Sequence, residues 1–125
     1  MDNKPTCEVE CDVPRNLITV RYHGHVAAAE MKAYAEKVMG LLPLLRRGFA
    51  FLTDLSSLES MELECAPELS RIMDACRAQG IGTVVRIIPD PSKDIGLNIL
   101  SIIHLRRGVR VVTCQTAEEA ARALA

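Results

Sequence analysis

Phe49-Ala50-Phe51-Leu52-Thr53 is a nearly continuous apolar run that stops at Asp54. A strand with one wet face would carry a polar residue at every second place. This run does not, so it reads as a short strand covered on both faces. Strands of that kind belong to parallel sheets with helices packed on each side. The fold therefore turns on what flanks the run.

Upstream, from about Ala27 to Leu42, the apolar residues Ala27, Met31, Tyr34, Val38 and Leu41 recur at helical spacing, opposite Lys32 and Glu36. Pro43 and the turn Arg46-Arg47-Gly48 stop that helix. Further upstream, Thr6–Asp12 and Leu17–Tyr22 alternate on either side of Pro14-Arg15-Asn16, the pattern of a hairpin, with Gly24 at its end. Downstream of Asp54, Ser56-Ser57-Leu58-Glu59-Ser60 reads as a hydroxyl-rich loop. A second helix is expected from about Leu63 to Gln79, with Leu69, Ile72, Met73 and Cys76 inward and Gly80 as its C-terminal stop.

Thr83–Ile88 is another buried-type strand, closed by Pro89-Asp90-Pro91. In the segment 94–104, Ile95, Ile99, Ile102 and Ile103 fit a helix, and the length agrees. Val109–Cys114 is the last strand. Thr116-Ala117-Glu118-Glu119 is a capping box that opens a final helix, with Ala117, Ala120, Ala121 and Leu124 inward. The order β-β-α-β-α-β-α-β-α predicts a single α/β domain over residues 1–125, built on a mixed, mostly parallel sheet. In such sheets the functional edge lies beyond the carboxyl ends of the strands, which here means Asp54 with residues 55–62, and Pro89 through Asp94.

Composition limits what the domain does. The 125 residues are 49% hydrophobic and 25% charged, with two Phe, two Tyr and no Trp, so the core is aliphatic. A formal charge of −1 with both signs scattered gives no basic stripe for nucleic acid. No apolar run approaches the ~20 residues that span a bilayer. The polar, acidic start, Met1–Glu10, is unlike a signal peptide, and the cytosol is the expected compartment. Five cysteines at wide spacing predict free thiols, with no disulfide framework and no zinc site.

Catalytic and cofactor patterns are missing at the expected intervals. Asp54 at a strand end invites comparison with a phosphate receiver, but the acidic pair and the lysine of that chemistry have no counterparts. A side-chain cap on the following turn is the simpler role for Asp54. His23 and His25 have no carboxylate or Cys at a ligand interval. Gly80-Ile81-Gly82 precedes a strand, the wrong order for a dinucleotide site. The expectation is therefore no catalytic residue, no metal and no cofactor.

Leu52-Thr53-Asp54-Leu55-Ser56-Ser57-Leu58, in this element order, resembles the STAS family, the fold of sulphate-transporter tails and bacterial anti-sigma-factor antagonists. The resemblance covers the whole chain in element order and about fifteen residues in motif. It implies a regulatory module that binds a protein partner, an anti-sigma factor or kinase-like regulator, rather than an enzyme. The family's Asp-Ser-Ser/Thr-Gly stretch falls here on Glu62, Leu63, Glu64 and Cys65. The acid is kept, the phosphorylatable hydroxyl is replaced by Glu64, and the glycine by Cys65.

Glu64 reads in two ways. A phosphoserine brings about −1.5 to −2 charge to a helix start, where the helix dipole favours anions, and Glu supplies part of that permanently. Alternatively, Glu62 and Glu64 are ordinary first-turn helix residues. The expected partner face comprises Asp54, Ser56, Ser57, Ser60, Glu62, Glu64, Asp90 and Asp94. The apolar segment Ile95–Leu105 reads as core, as a pocket lining or as a patch for self-association in a homodimer. A small apolar, lipid-like ligand is the alternative function class, and it calls for an apolar cavity.

Overall fold

The computed structural model describes residues 6–88 and 109–124. The helix expected over 94–104, together with Pro89, Asp90, Pro91 and Asp94, lies outside the described residues.

The chain opens with a hairpin, β1 (Cys7–Asp12) and β2 (Leu17–Val26). Its turn closes through the Asn16 N–H, which donates to the Val13 carbonyl at 3.0 Å. Asn16 sits at φ 55°, a left-handed conformation that Asn tolerates well. Its side chain then accepts from the Arg46 N–H at 2.7 Å and donates to the Arg46 carbonyl at 3.2 Å. That clasp ties the hairpin to the start of the central strand.

Helix α1 (Ala28–Leu41) follows and runs into a 3-10 turn at Leu42–Leu44. The central strand β3 spans Ala50–Met61. A 3-10 turn at Leu63–Cys65 leads into α2 (Ala66–Gln79), which ends at Gly80 with φ 95°, as the sequence predicts. Then come β4 (Thr83–Ile87), β5 (Arg110–Cys114) and α3 (Ala117–Leu124). The expected cap of the last helix is present. Thr116 Oγ1 accepts the Glu119 N–H at 3.1 Å, and the Glu119 carboxylate reaches back to the Gln115 N–H at 3.4 Å.

The strands lie in the order β1-β2-β3-β4-β5. β1 and β2 are antiparallel, and β2, β3, β4 and β5 run parallel to one another. One face of the sheet packs on α1 and α2 through Ile18, Val20, Phe51 and Val84, against Met31, Val38 and Ile72. The other face packs on α3 through Val85, Ile87 and Cys114, with Leu52 against them. Phe51 and Leu52 thus enter opposite layers, which is why the run at 49–53 does not alternate.

Candidate functional site: the extension of the central strand

Two sequence expectations fail at the same place. Residues 56–60 are not a loop, since β3 continues to Met61, and Gly24 does not end the hairpin, since β2 continues to Val26. The two strands travel on together, pairing His23 with Ser57, Gly24 with Leu58, His25 with Ser60 and Val26 with Met61.

The physical reason is a pair of bulges. Register shifts fall between Arg21 and His23 and between Gly24 and His25, each giving β3 one extra residue. Each extra residue flips the side-chain parity of the strand. Leu55, Leu58 and Met61, three apart, therefore all pack against the core. A period of three matches neither strand nor helix, so the segment looks like a loop. Gly24 at φ 59° takes a conformation that suits glycine, beside the Glu59 side chain.

Asp54 is where β3 parts from β4. Its last partner there is Ile87, and its partner on β2 is Arg21. Asp54 Oδ1 accepts from the Ser56 N–H at 2.9 Å and the Ser56 hydroxyl at 2.5 Å, so the aspartate does cap the backbone that follows it. Its Oδ2 lies 3.9 Å from Arg21 Nε, and Arg21 also bonds Glu10 at 3.1 Å.

Ser57 and Glu59 are exposed on the extension. The Ser60 hydroxyl is 2.5 Å from His25 Nδ1, and His23 Nε2 is 2.6 Å from a Glu8 oxygen. His23 and His25 are therefore strand residues held by polar neighbours.

At the far end, Glu62 precedes the 3-10 turn. Its Oε1 accepts the Ala28 N–H at 2.7 Å, and its own N–H donates to the Val26 carbonyl at 3.0 Å. Cys65, at the position of the family's glycine, is fully buried with its Sγ donating to the Val26 carbonyl at 3.7 Å. Burial, reinforced by the Glu62 charge, pushes its thiol up to about 11. Between Glu62 and Cys65, Leu63 is 70% exposed and Glu64 is exposed beside it.

Of the expected site residues, Asp54, Ser56, Ser57 and Ser60 thus lie along a strand rather than in a loop, and Glu62 and Glu64 lie at the turn that follows it. Eight residue steps lead from Asp54 to Glu62, roughly 25 Å of extended chain. The sequence reading missed Leu63, whose signal was an apolar residue between two acids at a helix start.

On the α3 side of the sheet a cleft of about 660 Å³ opens beside Leu17 and Leu52. Its rim carries Glu10, Asp12, Arg15, Arg21 and Asp54, so it is not the apolar cavity that a lipid-like ligand calls for. Among the described residues no group of three or more His, Cys, Asp or Glu is placed to hold a metal. No helix among them is long and apolar enough to cross a membrane.

No protein-family model and no curated protein sequence matches the chain. Solved structures do. An anti-sigma-factor antagonist, SpoIIAA in its unphosphorylated form, superposes with a TM-score of 0.65 at 13% identity over 94% of each chain. The Bacillus cell fate determinant SpoIIAA in its phosphorylated form gives 0.66 at 14% identity, covering 95% of this chain and 99% of the other. A DUF3478-family protein from Shewanella loihica with a SpoIIAA-like fold gives 0.71 at 10% identity, covering 100% and 98%. This chain has the SpoIIAA-like fold. At such identities the likeness shows the fold alone, an α/β architecture on a mostly parallel sheet. Residue roles have to be argued from this chain's own geometry.

Proposed function

We propose that this chain is a regulatory protein-binding module of the anti-sigma-factor-antagonist kind. Its partner face is the exposed side of the β3 extension and the turn after it, Asp54 through Glu64. Residue 64 on that face is a fixed charge and not a phosphorylation switch. The observation that carries the reading is the tip formed by Glu62, Leu63 and Glu64. A leucine 70% exposed between two acids is without cover among the described residues, and a partner that buries it gains the free energy of removing its apolar surface from water. Glu64 stands at the helix start, where the resemblance places the family's hydroxyl.

The chemistry follows from charge. An added phosphate at a helix start puts about two negative charges into a close interface. Glu64 holds one such charge permanently, so a partner for this chain has to accept it. The SpoIIAA-like fold supports a binding role, and the charged rim of the cleft argues against an apolar-ligand carrier. Asp90 and Asp94 belong to the same proposed face on sequence grounds alone.

The test begins with a photo-crosslinking amino acid at Leu63 to capture and identify the partner. Its affinity is then measured for Glu64→Ser and Glu64→Gln. Both variants should change partner affinity while leaving folding stability within about ±0.5 kcal/mol, as exposed substitutions do. Unchanged affinity in both would refute the assignment of residue 64. So would phosphate on Ser56, Ser57 or Ser60 that abolishes binding.

A further inference from the structure

We infer that the outer edge of β3 from Leu55 to Met61 accepts an added β-strand from a cationic, extended segment of the partner. The inference rests on the reading of this face as the partner face, and adds the binding mode and the partner's chemistry. β4 accompanies β3 only from Ala50 to Asp54. Beyond that point β3 has β2 on one side and, among the described residues, no strand on the other. An edge of that kind offers a row of backbone donors and acceptors for strand addition.

The extension is held rigidly enough to serve as a template. Leu55, Leu58 and Met61 pack on the core, and the Glu62 N–H fastens its end to Val26. It has neither proline nor lysine, two residues that commonly blunt exposed edges.

Charge selects the occupant. From Gly48 to Ser70 there is no Lys, Arg or His; of the acids in that span Asp54 pairs with Arg21 and Glu68 with Arg71, and Glu59, Glu62 and Glu64 remain to set the charge of the face. Pairing with a second copy of the same edge would set these acids against one another. A strand carrying Lys or Arg meets complementary charge, which raises the association rate and fixes the partner's sign. Leu63, exposed just past the edge, gives such a strand an apolar contact at one end.

The test uses the whole chain and synthetic peptides matched in length to Leu55–Met61. One alternates lysine with valine, a second alternates glutamate with valine, and a third is the lysine peptide with alternate amides N-methylated. Backbone amide exchange is followed residue by residue. In the free protein the outward amides of 55–61, apart from the Ser56 N–H that Asp54 Oδ1 holds, should exchange fast. With the lysine peptide at ten times its Kd they should slow about tenfold. The glutamate and N-methylated peptides should leave them unchanged. Slow exchange in the free protein, equal protection by the N-methylated peptide or no protection by any peptide would each overturn the inference. If a captured partner crosslinks at Leu63 while 55–61 stays unprotected, the partner face stands and strand addition falls.

Discussion

Glu62 Oε1 accepts the backbone N–H of Ala28 at 2.7 Å, so an acid at the end of the central strand caps the first helix. Helix α1 needs the help. Its N-cap residue is Ala27, which has no side-chain acceptor and ranks among the poorest caps. The neighbouring Ala27 N–H is taken by Glu30 at 3.1 Å. Glu62 therefore serves the fold, whereas Glu64 faces solvent. Glu62→Ala should cost about 1 kcal/mol, the usual loss for a cap, and Glu64→Ala less than about 0.5 kcal/mol. Thermal unfolding of the two variants checks this, and equal losses would show that Glu62 is no cap.

Glu30 links stability to acid. The Thr6 hydroxyl donates to it at 2.5 Å and the Ala27 N–H at 3.1 Å, and these bonds hold its carboxyl below the ordinary 4.5. In the unfolded chain the group titrates at its ordinary value. Its contribution is therefore complete above pH 4.5 and is lost as pH falls through the lower folded value. Unfolding midpoints measured through that range should fall less steeply for Glu30→Gln than for the parent. Parallel curves would refute the linkage.

The layers of this fold were legible because each is written in local periods. Met31, Tyr34 and Val38 declare one helix, Leu69, Ile72 and Cys76 another, and the unbroken run at 49–53 announces a strand with two covered faces. The extension of β3 was not legible. Its parity is reset twice by bulges that depend on where β2 lies, and nothing local to 55–61 encodes that register. Glu62 was legible as a helix-start acid, yet the helix it caps is α1, thirty-four residues upstream. Contacts set by topology leave no spacing to read.

The cysteines predict an alkaline weakness. Burial pushes Cys7 and Cys65 up to about 11 and Cys76 up to about 12, from an ordinary 9.0. Folded thiols stay protonated where unfolded ones ionise. Their contribution is therefore present below pH 9.0 and is lost as pH rises through the folded values. Denaturant midpoints should decline above that pH, with a shallower decline for Cys76→Ala than for the parent, whatever its stability at neutral pH. All five cysteines are free thiols, so titration of the denatured protein should return five groups. A smaller number would reveal a bridge.

Gly82 is the position where the smallest change should hurt most. A Cβ there would lie 2.9 Å from the Gly48 carbonyl oxygen and 3.1 Å from the Gly48 Cα. Both obstacles are backbone, and that backbone is pinned. The Gly48 N–H donates to the Gly80 carbonyl at 2.7 Å, and the Gly82 N–H to the Phe49 carbonyl at 2.9 Å. These bonds align the start of β4 with the start of β3, so any shift to admit a methyl disturbs the central pair of the sheet. Gly82→Ala should cost about 1–3 kcal/mol, as overpacking does. Gly40, near the end of α1, is the control, since a Cβ there meets nothing within 4 Å. Gly40→Ala should gain roughly 0.5 kcal/mol from backbone entropy alone. Urea unfolding of both variants decides the matter. A Gly82→Ala protein as stable as the parent would mean that the two turns do not approach as closely as described.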